Sequence, residues 1–234
     1  MAVVASSYRR WELLYRGADG VFKSYLLSFI AFILAFAAVL AAGVAGMGAI
    51  MHGGNVGAAL KSSVGSFATL ALIALVLLLA SLYYLWDGFR SLKEYDASRF
   101  GVGVTGLKVY LAAVIVVLLA VLALIPGAMT ASPVSMGLAV GLFILGGLLA
   151  IVGAIMIAVA LWRLGDEPGG SLVKLGVILW FLGILLGVTR AGSVLAFVGS
   201  ILIMLGARDV RDKAAQAMRA PPTQEASPGI SGAT

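Results

Sequence analysis

The chain has 234 residues, of which 62% are hydrophobic and only 11% charged, with a net charge of +6 and no cysteine. A soluble domain carries roughly 25% charged residues, so this composition excludes an ordinary soluble enzyme and points to a multi-pass membrane protein, as does the mean hydropathy of +1.11. The missing cysteine removes any disulfide framework, thiolate metal site or thiol nucleophile.

Residues 1–24 carry Tyr8, Trp11, Leu14, Tyr15, Ala18 and Phe22 at helical spacing, with Arg9, Arg10, Glu12, Arg16 and Lys23 between them. The pattern predicts a short amphipathic lead-in at the level of the lipid headgroups. A first span is expected over 25–47, too long an apolar run for a cleaved signal peptide. A weakly charged loop over 52–66 and a second span over 67–86 follow. Tyr83, Tyr84 and Trp86 close that span as an interfacial belt.

The segment Asp87 to Lys108 is the longest polar interruption and is expected to be a loop. A third span over 107–125, closed by Pro126, and a glycine-rich fourth span over 136–162 come next. A short turn holds Arg163, Asp166 and Glu167. Two arrangements suit 172–207, which has Arg190 in its middle. It forms either a tight hairpin of two short spans, 172–188 and 191–207, or a re-entrant segment that holds Arg190 at depth. An unpaired charge there is costly and marks a functional candidate. Residues 208–234 read as a helical stub that passes into a Pro/Ser/Gly-rich disordered tail. The expected fold is therefore an all-α integral membrane bundle of six transmembrane helices.

Six spans sort the charges. Of the 16 Lys and Arg residues, only Lys61 and Arg190 fall on the side away from the termini, and all ten acidic residues lie on the terminal side. The positive-inside rule makes that side cytoplasmic. Orientation then accounts for the basic excess without nucleic acid. Membrane lipids are the expected partners, with Arg9, Arg10, Trp11, Arg16, Arg90, Lys93 and Arg99 at the headgroups.

Chemistry-bearing motifs are scarce. Gly101, Gly103 and Gly106 spell GxGxxG, but a dinucleotide fingerprint needs a preceding strand and a βαβ unit; here the pattern reads as loop glycines. Gly137 with Gly141, and Gly183 with Gly187, are GxxxG pairs, which let a second helix backbone approach closely. They are candidates for packing within the chain or against another subunit or copy. His52 is the single histidine, in a loop without further ligands, so no metal site and no cofactor are expected. The spans hold no Asp, Glu or His, which argues against an ion-coupled pump.

Tyr15-Arg16-Gly17-Ala18, Asp87-Gly88-Phe89 with the glycine-spaced run into Leu107-Lys108, and Leu161-Trp162-Arg163-Leu164-Gly165 followed by Ser171 to Leu179 are three distinctive stretches. Together they resemble a family of uncharacterised multi-pass membrane proteins of thermophilic archaea, known only as a domain of unknown function. The resemblance covers roughly 8–210 and implies an archaeal plasma membrane and six spans. It implies no activity and assigns no residue a role. The residues point first to a non-enzymatic scaffold or accessory subunit that packs through glycine-rich faces, and second to a passive channel or small-solute transporter.

Overall fold

The computed structural model describes residues 2–51, 56–130, 133–186 and 190–219. Among these residues the chain is all-α, with six helices in the order α1 (Ala2–Met51), α2 (Val56–Tyr95), α3 (Ala97–Thr130), α4 (Pro133–Leu164), α5 (Ser171–Leu185) and α6 (Arg190–Arg219). Consecutive helices pair as three antiparallel hairpins, α1/α2, α3/α4 and α5/α6, and α6 also packs along α1. Helices α1, α2, α3, α4 and α6 are each long and apolar enough to cross a membrane. Helix α5, with 15 residues, reaches only about 22 Å at 1.5 Å per residue.

A small residue at every seventh position makes the hairpins. Gly17, Ser24 and Ala31 line α1, and Ser81 and Gly88 line α2; all are buried. Buried stripes continue with Gly106, Ala113 and Ala120 on α3, and Ala139, Gly146, Gly153 and Ala160 on α4. Gly176 and Gly183 on α5 face Gly192, Gly199 and Gly206 on α6, again all buried. A seven-residue repeat keeps one face turned to its partner when helices cross at a small left-handed angle. The backbones touch: a Cβ on Gly20 would lie 2.6 Å from Gly88 Cα, one on Gly153 2.8 Å from the Tyr110 amide nitrogen, and one on Gly176 2.6 Å from that of Ile203. In lipid, where apolar surfaces gain little by hiding from each other, such close packing is the main attraction between helices.

The hairpins meet at the end that carries the charges. Leu14, Val21, Phe89, Leu92, Phe100, Leu107, Leu161, Leu164, Val173, Ile203 and Val210 are almost completely buried there and form one continuous plug. At the other end Phe36, Leu40, Val76, Leu122 and Leu138 are exposed, as suits a surface bathed in hydrocarbon.

Three expectations change. The lead-in over 1–24 is no separate helix at the headgroups: α1 is unbroken, and Leu14, Gly17, Ala18, Gly20 and Val21 are buried against the bundle. The segment Asp87 to Lys108 is no loop: α2 runs to Tyr95, α3 starts at Ala97, and Asp96 alone interrupts the helices. Nor does Pro126 end the third helix, which continues to Thr130. The first two corrections share a cause. Hydropathy falls where charges begin, yet Leu85, Phe89 and Leu92, then Phe100, Gly103 and Leu107, keep a buried helical face beneath the charged one. The stretch 172–207 forms two antiparallel helices of unequal length, the 15-residue α5 and the first part of α6.

Candidate functional site

Two features stand out, a polar cluster at the charged end and a cavity above the plug. The cluster begins at Asp96. Its Oδ1 accepts hydrogen bonds from the Ser98 and Arg99 amides, at 3.0 and 3.1 Å, and from the Ser98 hydroxyl at 2.7 Å, which caps the N-terminus of α3. The Ser98 hydroxyl is the main reason that the Asp96 carboxyl titrates below the usual range. Capping in turn sets Arg99 in the first turn of α3. Its Nη1 lies 2.7 Å from Glu167 Oε1 and its Nη2 lies 3.4 Å from Asp166 Oδ2.

The turn between α4 and α5 supplies both carboxylates. Gly169, at φ 89°, makes a left-handed step that glycine takes without strain. Lys174 of α5 closes on Asp166 Oδ1 at 2.5 Å, and this bond above all holds the Asp166 carboxyl below its ordinary pKa. Glu167 is buried and also accepts a hydrogen bond from the Tyr95 hydroxyl at 3.1 Å. Arg163 donates to the backbone oxygens of Arg99 and Ser98 at 2.5 and 3.2 Å. One polar cluster thus joins α2, α3, the α4–α5 turn and α5. A second contact ties α6 to α1: Arg211 Nη1 sits 3.3 Å from Asp19 Oδ1 and its guanidinium lies over the Phe22 ring. These are structural ties between hairpins. Asp19, Asp166 and Glu167 each have a cationic partner in them, Arg211 for the first and Arg99 for the other two.

The cavity, of about 800 Å³, is lined by all six helices. Its walls are mainly Phe29, Phe32, Leu75, Leu78, Val114, Leu118, Trp180 and Phe197, and Tyr25 and Tyr110 also line it. Ser81 Oγ stands 3.0 Å from Ser24 Oγ and 2.7 Å from Ser28 Oγ, so the three hydroxyls form one chain on the cavity wall. Among the described residues, no charged side chain lines it.

The residues expected at the headgroups lie at the charged end. Arg9, Arg10, Arg16, Arg90 and Lys93 are exposed, and Trp11 is half-buried against the core. Arg16 pairs with Glu12 at 2.7 Å, Arg90 approaches Glu94 at 3.6 Å, and Arg10 lies over the Tyr95 ring. Arg99 instead faces the carboxylates of the α4–α5 turn. The glycine candidates divide. Gly183 is buried against the Ala196 backbone of α6, inside the chain, whereas a Cβ on Gly137 or Gly141 would meet nothing within 4 Å. Of the GxGxxG glycines, Gly103 and Gly106 pack on α4. Gly187 and His52 lie outside the described residues, and Arg190 opens α6 with its side chain outside them too. Sequence reading missed the serine trio and placed Asp166 and Glu167 in a short turn without assigning them a partner. Ser24 and Ser81 did carry a signal, because each occupies a small-residue position of the seven-residue stripe.

A family model described as a protein of unknown function, DUF973, matches residues 16–231. The chain belongs to that family. The DUF973 match takes in both the polar cluster and the cavity, and it continues past residue 210 into the tail that the resemblance had left out. No curated protein and no solved structure matches this DUF973 chain.

Proposed function

We propose that this DUF973 protein is a non-enzymatic scaffold or accessory subunit of the plasma membrane, with its charged end and both termini in the cytoplasm. The asymmetry of Lys and Arg supports that orientation, and the archaeal host follows from the sequence resemblance alone. The observation that carries the assembly role is the division among the glycines. Those of the seven-residue stripes are covered by neighbouring helices of the same chain, but Gly137 and Gly141 leave an open face on the half of α4 far from the charges. Small residues four apart let a second helix come close, so this face suits a helix from another subunit or a second copy.

The cysteine-free chain offers a clean test. A single Gly141→Cys protein, treated with a short bis-maleimide in native membranes, is expected to cross-link to one defined product. Cross-linking no stronger than from Leu175→Cys on the exposed face of α5 contradicts the assembly role.

A passive channel or small-solute transporter is the second reading. The cavity favours it, because Phe32, Leu75 and Leu118 at its far end are exposed. The buried apolar plug at the charged end weighs against it.

A further inference from the structure

We propose that the cavity is a binding site for one chain of an uncharged membrane lipid whose polar end is a hydroxyl or carbonyl group, held with that end toward the serine trio. Three observations converge. The first is direction. Ser24, Ser81 and Leu107, at the end near the plug, are 3%, 4% and 0% exposed, whereas Phe32 and Leu118, at the other end, are 54% and 57% exposed. The cavity is therefore closed toward the charges and open toward the middle of the membrane, where a lipid chain can enter without crossing water.

The second is size. Ligand sites run to about 300–1,000 Å³, and 800 Å³ falls within that range. A small liquid molecule takes roughly 30 Å³, so the space holds on the order of 25 groups the size of a methylene. Between Ser193 and Met204 the cavity follows α6 for about 16 Å at 1.5 Å per residue, near half of a ~30 Å hydrocarbon core. That fits one chain within one leaflet and is too small for a whole two-chain phospholipid.

The third is chemistry. An apolar hollow open to hydrocarbon forfeits dispersion contacts if it stays unfilled, so a chain is the natural occupant. The serine trio sets the polar end. Three hydroxyls carry three protons, and two of them make the Ser24–Ser81 and Ser28–Ser81 bonds. That leaves one proton and several lone pairs for a guest. With no cation among the described lining residues, a carboxylate or phosphate held at the serine trio would be buried without a counter-charge, at a cost of several kcal/mol. A neutral head meets no such penalty. The site stands whether or not α4 has a protein partner.

Trp180 lines the cavity and reports on it. The probe is a long-chain alcohol brominated at mid-chain, titrated into liposomes holding the full-length protein, with the chain-matched carboxylate as comparison. The expected result is saturable quenching by the alcohol that the carboxylate matches only at more than tenfold higher concentration, and that disappears in Trp180→Phe. Ser81→Val should weaken alcohol binding about 3–10-fold, the worth of one hydrogen bond. Ala154→Phe, or Val114→Phe should the first variant fail to fold, should remove saturation. Quenching that rises in proportion to probe without saturating, that is equal for the two probes, or that survives the filling substitutions overturns the proposal.

Discussion

Arg99 at the start of α3 and Glu167 in the α4–α5 turn meet at 2.7 Å, with Glu167 buried and Arg99 about a third exposed. Because Tyr95 bonds the other Glu167 oxygen, this pair draws the end of α2 and the start of α3 onto the turn that leads into α5. A half-buried ion pair with further hydrogen bonds differs from a surface one. Arg90 and Glu94 lie 3.6 Å apart and are both well exposed. In a double-mutant cycle the Arg99–Glu167 coupling should be about 1–3 kcal/mol, and the Arg90–Glu94 coupling at most about 0.5 kcal/mol. Thermal unfolding in detergent, followed by size-exclusion, measures both. Equal couplings would mean that the cluster is ordinary surface charge.

The α5/α6 contact should be intolerant of bulk. Gly176→Leu places side-chain atoms where the Ile203 backbone stands, and overpacking costs about 1–3 kcal/mol. Gly141→Leu meets open space and should stay within about 0.5 kcal/mol of the native protein. Melting temperatures of the two variants check this, and a Gly176→Leu protein as stable as the native one would contradict the packing.

Acid should loosen the charged end. The Asp166 carboxyl titrates below its ordinary value, chiefly because of Lys174. Its contribution is therefore fully present above the unfolded pKa, about 3.9, and is lost as pH falls through the depressed folded value. Melting temperature should be flat in this respect from pH 7 to about 5 and fall below about 4. The fall should be shallower in Lys174→Met and at high salt, since Asp166 is exposed and its pairs are screened. An unchanged acid profile in Lys174→Met would remove this pair from the account.

Topology can be read directly. With no native cysteine, Lys93→Cys and Lys61→Cys each give one reactive site. An impermeant maleimide applied to whole cells should label Lys61→Cys and spare Lys93→Cys until the membrane is opened. The reverse pattern would invert the orientation.

Much of the fold was legible because hydropathy and charge are strong signals in a membrane. The apolar runs mark the helices, and Lys and Arg mark the ends. Their lengths were harder to read, since Phe89, Leu92 and Phe100 stay buried in segments whose charges lower the average. Packing was misread in its period. Glycines four apart single out Gly137 and Gly141, where a Cβ would meet no described residue within 4 Å, while the contacts inside the chain recur at seven, as in Gly146 and Gly153. Gly183 belongs to both patterns and is buried. The serine trio was beyond sequence reading because Ser81 meets Ser24 and Ser28 only once α1 and α2 are laid side by side.

The claim that the open face of α4 serves assembly meets its sharpest test in the size of the particle extracted from native membranes in mild detergent. The native protein should elute with a second chain in fixed ratio, and the Gly137→Leu/Gly141→Leu protein should elute alone with an unchanged melting temperature. A native protein that elutes as a single chain, or a complex that survives the double substitution, would contradict it.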